Sequence, residues 1–270
     1  VTDVDADNLD EVNGLLSGLS AEQSNAVKEI QAAVDAANAV LSASTATGDT
    51  PTQAQLEVLG ITGLTTDNLA TVQAAIQAAG TGDVDSLSEL KAVVAVATIS
   101  SALSSDDSTP DLSEGDYTNA GVTGVSGVNL AAVNGLLSGL SAGDSDTLGE
   151  IQTAVDAAKA VLAGEPTKAQ LDALGVTGVT DDNLAAVQQA LAGKTALELS
   201  PITDLQALVK TAVDQSAAAV STISTALAST DTTPDISVEN YTKAGVTDVD
   251  ADNLDEVNGL LSGLSAEQSN

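Results

Sequence analysis

The stretch TKAQLDALGVTGVTDDNLAAV, residues 167–187, contains the signals of two consecutive helices. Thr167 and Gln170 stand at the spacing of a capping box, in which two side chains satisfy the free N–H groups at the start of a helix. Gly175 follows at the place where a left-handed glycine ends a helix. Thr180 is then the N-cap of a second helix, whose apolar residues recur every three or four positions. The stretch predicts a two-turn helix, a loop and a second helix.

The same pattern recurs along the whole chain. Units begin at Val1, Ile61, Val122 and Val176, so they are 60, 61, 54 and 70 residues long, and a further start follows at Val246. The first and third units share VNGLLSGLSA, the second and fourth share DNLA, and residues 1–25 are repeated without change at 246–270. Because residues 1–25 continue into a helical pattern without a turn signal, we expect the sequence to be a window cut from a longer tandem array with a 245-residue repeat.

Each unit carries signals for three helices. The hydroxyl positions of the short helices are Thr52, Ser113, Thr167 and Ser237, their partners are Gln55, Asp116, Gln170 and Asn240, and their terminating glycines are Gly60, Gly121, Gly175 and Gly245. The predicted N-caps of the second helices are Asp5, Thr65, Ser126 and Thr180.

The third helix of each unit is the longest. In the first unit, Ser20 and Gln23 form a predicted capping box ahead of an apolar stripe from Val27 to Leu41. In the fourth unit, Pro201 is the predicted first helical residue of a helix that runs to Ala228. The polar, proline-ended segments 42–51, 104–110, 163–166 and 229–234 are interpreted as short hinges.

These signals predict an all-α fold, a tandem array of small three-helix bundles with a short, a short and a long helix in each unit. The units would be arranged as beads on a string or as a solenoid-like fibre, with a surface shared between neighbours. The predicted boundaries are a partial unit with the second and third helices at 1–49, three-helix units at 50–108, 109–164 and 165–231, and a partial unit at 232–270 that repeats 1–25.

Composition excludes several classes of function. The chain has 39 acidic residues against 7 lysines and a formal net charge of −32, so it should repel nucleic acid and anionic lipid. It has no His and no Cys, which removes the usual base and thiolate of catalytic sites, and we expect no enzyme activity and no cofactor. No run of 18 or more apolar residues occurs, so we expect no membrane insertion in this segment.

Units of the form shown at 167–187 resemble the helical repeats of very large repetitive surface proteins of Gram-negative, often marine, bacteria. In helix number and size they are also similar to the GA-type three-helix modules of bacterial surface proteins. The resemblance covers all 270 residues and implies an extracellular or cell-surface location, in an adhesin or a fibre segment. The GA-type comparison implies, as an alternative, binding of a host serum protein through an exposed surface.

Asp3, Asp5 and Asp7 are weak candidate metal ligands, because they resemble the start of a calcium loop. An EF-hand needs Gly at its sixth position and Glu at its twelfth, but these places hold Asn8 and Gly14. The favoured interpretation is therefore an N-cap with acids near the positive end of the helix dipole.

Two further residue types recur at fixed places. Asn8, Asn68, Asn129 and Asn183 are expected to make local hydrogen bonds in the first helical turn or to a neighbouring loop. Tyr117 and Tyr241 take the position of Leu56 and Leu171, and we expect them at the edge of a bundle with the hydroxyl group in water.

The sequence therefore favours a structural segment of a long extracellular fibre, stalk or giant adhesin that acts as an acidic spacer. Its expected partners are neighbouring repeats and other copies of itself in a fibre. One alternative is a multivalent binding array of GA-like modules, in which repetition raises avidity. Another is an acidic spacer that responds to calcium.

Overall fold

The computed structural model of the chain describes residues 2–45, 50–105, 107, 110–229 and 234–262. Within these ranges the chain forms fourteen α-helices and three short 3-10 turns, and it contains no β-strand. The all-α class predicted from the sequence is therefore confirmed. In the same ranges, no helix is both long enough and apolar enough to cross a membrane.

The helices fall into three types that alternate along the chain. The second helices are α1 (Leu9–Leu16), α4 (Leu69–Ala78), α7 (Leu130–Leu137), α10 (Leu184–Leu191) and α14 (Leu254–Leu261). The long helices are α2 (Val27–Ala43), α5 (Leu87–Leu103), α8 (Leu148–Ala163) and α12 (Ile202–Leu227). The short helices are α3 (Gln53–Val58), α6 (Glu114–Asn119), α9 (Lys168–Ala173) and α13 (Val238–Lys243), and α11 (Ala196–Leu199) is a single turn. The 3-10 turns are Ala21–Gln23, Thr81–Asp83 and Ala142–Asp144.

Both ends of the short helices form as predicted. All four carry the capping box between the hydroxyl residue and its partner three residues later. The four terminating glycines have φ between 74° and 85°, the left-handed conformation. At Gly175, for example, the Val176 N–H donates to the Leu171 carbonyl at 3.0 Å, which is the long bond of a Schellman motif.

The second helices begin one turn later than their predicted caps. Thr65 does accept a hydrogen bond from the Asn68 N–H through its hydroxyl group, at 3.3 Å. A tight turn follows, and regular helix begins only at Leu69, whose N–H donates to the Thr65 carbonyl at 3.0 Å.

Two predicted starts of long helices also need correction. The Ser20–Gln23 capping box forms, but it closes the 3-10 turn at Ala21–Gln23, and α2 begins at Val27. Pro201 lies outside α12 because its ψ of 179° is extended, so the helix begins at Ile202 and ends at Leu227.

The described chain divides into two compact units. One comprises Val1–Leu130 and Gly139–Gln152, and the other comprises Ala131–Ser138 and Thr153–Asn270. The predicted repeat boundaries remain predictions. Of the predicted hinges, residues 46–49, 106, 108–109 and 230–233 lie outside the described residues.

Aliphatic side chains fill the core of the first compact unit. One cluster joins helices of two successive repeats and includes the fully buried Leu15, Val40, Leu56, Ile76 and Leu90. Helix α2 packs against both α1 and α3, and α5 packs against both α4 and α6. Each of these long helices therefore packs against the second helix before it and the short helix after it.

The second compact unit repeats this arrangement at α12, which packs against α10, α11 and α13. Ile223 and Leu227 of α12 form a cluster with Ile236 and Tyr241, and Leu254 and Val257 of α14 pack at its edge. The order of second, long and short helix is therefore the packing order in both units.

The repeated ends adopt one local structure, as predicted. Helices α1 and α14 have the same length and sequence, 245 residues apart. Asp3 and Asp248 have the same unusual φ, 65° and 64°. The rest of the second copy, residues 263–270, lies outside the described residues.

Candidate functional site

An asparagine closes the loop that precedes each of the second helices α1, α4, α7, α10 and α14. In the second repeat, the Asn68 Nδ2 group donates to the Gly63 carbonyl at 2.9 Å, and Asn68 Oδ1 accepts from the Thr65 N–H at 2.8 Å. The same two bonds recur at the equivalent residues Asn8, Asn129, Asn183 and Asn253. The predicted local role of these asparagines is confirmed.

The residue whose carbonyl accepts this bond always has a positive φ. Glycine occupies the place in three repeats, at Gly63, Gly124 and Gly178, with φ between 80° and 89°. Asp3 and Asp248 occupy it in the other two copies. At these places the repeat therefore needs a left-handed backbone, which glycine adopts with least strain.

Of the candidate metal ligands, the Asp3 and Asp5 carboxylates accept hydrogen bonds within their own loop. Asp3 Oδ2 accepts from the Thr2 hydroxyl at 2.9 Å, and Asp5 Oδ1 accepts from the Asp7 N–H at 2.9 Å. In the part of the chain that the structure describes, no group of three or more Asp or Glu side chains is placed to hold a metal ion. Calcium ligation by Asp3, Asp5 and Asp7 remains a prediction.

A glutamine of the long helix holds the same loop from the other side. In the fourth repeat, the Thr177 N–H donates to Gln206 Oε1 at 2.9 Å, and Gln206 Nε2 donates to the Thr177 carbonyl at 3.2 Å. Gln31 and Gln152 make the same pair of bonds in the first and third repeats. Lys91 takes this place in the second repeat and has no acceptor atom, so the pair of bonds is lost there.

The loop of the first repeat is also tied to the middle of its long helix. The Asn38 Nδ2 group donates to the Asp3 carbonyl at 2.9 Å, and Asn38 Oδ1 accepts from Asn8 Nδ2 at 3.1 Å. The equivalent residues of the second and fourth repeats are Thr98 and Val213, whose shorter side chains have no amide group.

A groove opens between the loop and the long helix in the two repeats where Thr98 or Val213 replaces the asparagine. In the second repeat it has a volume of about 730 Å³, and its walls include Asp67, Asn68, Lys91, Thr98 and Asp116. In the fourth repeat a groove of about 500 Å³ lies at the equivalent place, beside Asp182, Asn183 and Val213. Both grooves are lined by hydroxyl, amide and carboxylate groups together with apolar side chains.

The two tyrosines are buried, so their predicted place at the bundle edge is wrong. Tyr117 is 0% exposed and Tyr241 is 3% exposed. The Tyr241 hydroxyl group donates to Asn258 Oδ1 at 2.8 Å, and Asn258 Nδ2 donates to the Ile236 carbonyl at 2.9 Å. The core accepts the phenol because this amide satisfies its hydroxyl group. Burial raises the pKa of both tyrosines, and the neighbouring Asp116 adds to the effect at Tyr117.

The sequence analysis did not predict the amide side chains that bond beside the short helices α3, α9 and α13. In the repeats where leucine replaces tyrosine, a longer glutamine makes the equivalent bond. Gln73 Nε2 donates to the Pro51 carbonyl at 2.9 Å, and Gln188 Nε2 donates to the Pro166 carbonyl at 3.0 Å. The signal was present in the sequence, because the amide always follows 17 residues after the short-helix residue, with Asn after Tyr and Gln after Leu.

Five of the seven lysines pair with acidic residues close to them in the sequence. Five exposed ion pairs form between residues three or four apart, at Lys159–Asp156, Lys168–Asp172, Lys194–Glu198, Lys210–Asp214 and Lys243–Glu239. The backbone N–H and the hydroxyl of Thr195, with Lys194, lower the pKa of Glu198 to about 2. Because acids outnumber lysines so strongly, these pairs leave the surface acidic.

Comparison of the chain with protein-family models, with curated proteins and with solved structures finds no match in any of the three.

Proposed function

We propose that this chain is a structural segment of a long extracellular fibre, stalk or giant adhesin, in which a 245-residue block repeats in tandem. The observation that carries the proposal is the identical local structure of residues 2–17 and 247–262, whose helices α1 and α14 contact different neighbours. A tandem array needs one element that recurs at a fixed interval and joins the helices before it to those after it.

The finer architecture belongs to the same proposal. The array consists of small three-helix bundles, each with two shorter helices and one long helix. Packing of α2 between α1 and α3, and of α12 between α10 and α13, supports such bundles. The shared aliphatic cluster of the first two repeats supports close coupling between neighbours.

The proposed role is mechanical, and the segment acts through its length, solubility and repetition. A net charge of −32 favours solubility and opposes non-specific adhesion between segments. The chain has no His and no Cys, so the grooves have no imidazole or thiolate with which to act on a ligand. We propose no enzyme activity, and the partners are neighbouring repeats and other copies of the chain.

The experiment is to add further 245-residue blocks to the chain and to measure particle length by electron microscopy. A helix of ~20 residues is ~30 Å long, so each added block should lengthen the particle by a constant increment on the order of 100 Å. The unextended chain is the control. Particles that grow in all directions, as a compact globule does, would contradict the fibre proposal.

The grooves of the second and fourth repeats support a second candidate, a multivalent binding array of GA-like modules. They occur at equivalent places and share a Thr-x-Asp-Asn loop, Thr65–Asn68 and Thr180–Asn183. Serum albumin is the probe, because the resemblance implies a host serum protein. Titration calorimetry should give saturable binding that Asp67→Ala and Asp182→Ala weaken together. Absence of heat at high micromolar concentration would remove this candidate.

A further inference from the structure

The first repeat shows which chemical group fits between the loop and the long helix. Asn38 of α2 places its carboxamide there, where Asn38 Oδ1 accepts from Asn8 Nδ2 at 3.1 Å and Asn38 Nδ2 donates to the Asp3 carbonyl at 2.9 Å. A carboxamide suits this position because it carries an acceptor and a donor side by side. We call the position the asparagine place, and in the first repeat the chain fills it with its own side chain.

The second repeat keeps the loop but lacks the amide. Asn68 Nδ2 donates to the Gly63 carbonyl at 2.9 Å, which is the bond that all the repeats share. Thr98 stands where the first repeat has Asn38. In the part of the chain that the structure describes, the other hydrogen of Asn68 Nδ2 bonds to no protein atom. The asparagine place is therefore vacant, with a donor at Asn68 and a second lone pair at the Gly63 carbonyl.

Burial makes the vacant place more than a wet surface loop. Asn68 is 8% exposed, so its carboxamide is largely withdrawn from bulk water. A donor in such a position gains more from a partner than an exposed donor does, because it has less hydration to lose. Gly63, Asn68 and Thr98 all line the groove of about 730 Å³, so a ligand in the groove can reach them.

A second amide position is vacant in the same groove. In the first repeat, Gln31 Oε1 accepts from the Thr2 N–H at 2.7 Å, and Gln31 Nε2 donates to the Thr2 carbonyl at 3.4 Å. The second repeat has Lys91 there, and an ammonium group can donate but cannot accept. Thr62 is the equivalent of Thr2 and lines the groove. Its N–H therefore adds a further donor beside the asparagine place.

The fourth repeat separates the two positions. Gln206 fills the glutamine position through its two bonds to Thr177, while Val213 leaves the asparagine place without an amide. The groove there has a volume of about 500 Å³, against about 730 Å³ in the second repeat. The second repeat, which lacks both amides, has the larger of these two grooves and the greater number of free polar groups.

We propose that the groove of the second repeat binds the side-chain carboxamide of a partner polypeptide, a glutamine or an asparagine, at the asparagine place. The ligand amide accepts from Asn68 Nδ2 and donates to the Gly63 carbonyl, as Asn38 does in the first repeat. The proposal rests on the second candidate function, the binding array, and narrows it to one repeat and one ligand chemistry. The fibre proposal does not depend on it.

The walls of the groove favour a neutral or basic partner segment. Three carboxylates and one ammonium group line it, at Asp67, Asp111, Asp116 and Lys91. These charges and the net charge of −32 repel a carboxylate ligand, which also has no N–H for the Gly63 carbonyl. Val94 and Ala95 line the same groove and offer apolar contact to the methylene groups of a glutamine.

The test uses three tripeptides, acetyl-Gly-X-Gly N-methylamide, in which X is Gln, Glu or Ala. Neither blocked end carries a primary amide, Glu has the shape of Gln without its N–H groups, and Ala offers the backbone alone. Each is titrated into the full chain and followed by NMR at the signals of Thr62, Gly63 and Asn68. We expect saturable shifts from the Gln peptide with a Kd of about 1–10 mM, and at least about tenfold weaker binding of the other two.

Two outcomes of this titration would overturn the proposal. An Ala peptide that binds as tightly as the Gln peptide would mean that the groove recognises peptide backbone. A Gln peptide that gives no saturable shift up to about 50 mM would mean that the vacant place takes no carboxamide.

Thr98→Asn fills the asparagine place from within. We expect the new side chain to make the two bonds that Asn38 makes and to weaken binding of the Gln peptide at least about tenfold. Thr98→Val is the matched control, because valine has nearly the shape of threonine, carries no amide and stands at this position in the fourth repeat. It should bind as the parent chain does. If Thr98→Asn binds as tightly as the parent, or if Thr98→Val loses binding, the proposed place is wrong.

Serum albumin distinguishes this proposal from the binding array on which it rests. If albumin binds the parent and Thr98→Asn alike while the Gln peptide does not bind the parent, the array stands and the amide site is wrong. If the Gln peptide binds and albumin does not, the amide site stands and albumin is not its partner. If neither binds, both proposals fail.

Discussion

At the scale of single residues, Tyr241 depends on its amide partner. The Tyr241 hydroxyl group and Asn258 form a buried pair that ties α13 to α14. In the repeats that have leucine in place of tyrosine, no hydroxyl group needs a partner, and a longer glutamine side chain donates to the equivalent backbone carbonyl. A change in one member therefore requires a matching change in the other.

Tyr241→Phe should reduce stability at neutral pH by about 1–2 kcal/mol, since it leaves Asn258 Oδ1 buried without its donor. The pH dependence has a definite sign. Burial raises the pKa of Tyr241 above its ordinary value of 10.0, so the stabilising contribution of the neutral phenol is complete below pH 10 and is lost as the pH rises further. Urea unfolding between pH 8 and about 12 should show a smaller alkaline loss in the variant. An equal alkaline loss in both chains would contradict this.

Asp248→Gly should stabilise the chain. Asp248 has a φ of 64° where three other repeats have glycine, and its carbonyl, not its side chain, accepts the Asn253 bond. Relief of the left-handed strain releases about 1 kcal/mol, and the greater freedom of glycine in the unfolded chain offsets part of it, so we expect a net gain of about 0.5 kcal/mol in urea unfolding.

Asp250→Gly is the control for that variant and should destabilise. Asp250 Oδ1 accepts from the Asp252 N–H at 2.9 Å and from the Asn253 N–H at 3.1 Å, and glycine removes both bonds. If Asp248→Gly were instead to lower stability only in the presence of calcium, the result would support ligation at this loop and at Asp3, Asp5 and Asp7.

At the scale of elements, the short helices are too short to be stable alone, and their defined ends hold them in the fold. Gly175→Ala tests the C-terminal signal. The glycine has a φ of 74° and an added Cβ would meet no atom within 4 Å, so the whole effect is backbone strain. We expect a loss of about 1 kcal/mol in the free energy of unfolding measured in urea.

Gly149→Ala is the matched control, because Gly149 lies in the first turn of α8 and also has open space around it. Helical backbone favours alanine, so this variant should gain up to about 1 kcal/mol. A loss at both glycines would mean that the added methyl group, not the backbone conformation, determines the effect.

At the scale of the whole molecule, surface charge governs the response to ions. With a net charge of −32, stability should rise smoothly as sodium chloride screens repulsion. Calcium at matched ionic strength should add little, as followed by thermal unfolding. A saturating shift at micromolar calcium would contradict this and support the calcium-responsive spacer.

The sequence by itself determined the helical class, the four capping boxes, the left-handed glycines and the local role of the repeated asparagines. These features depend on residues within about eight positions of one another, so spacing alone specifies them. The starts of the helices at Val27 and Ile202 lie later than the sequence predicted. A 3-10 turn precedes Val27, and an extended proline precedes Ile202.

Only the tertiary structure decided which faces are covered. Tyr241 has the polar hydroxyl group of an edge residue and lies in the core, because Asn258 reaches it from another helix. Leu15 and Leu260 have identical sequence surroundings and opposite exposure. Burial depends on the neighbours that packing brings to a residue, and two identical segments of one chain can have different neighbours.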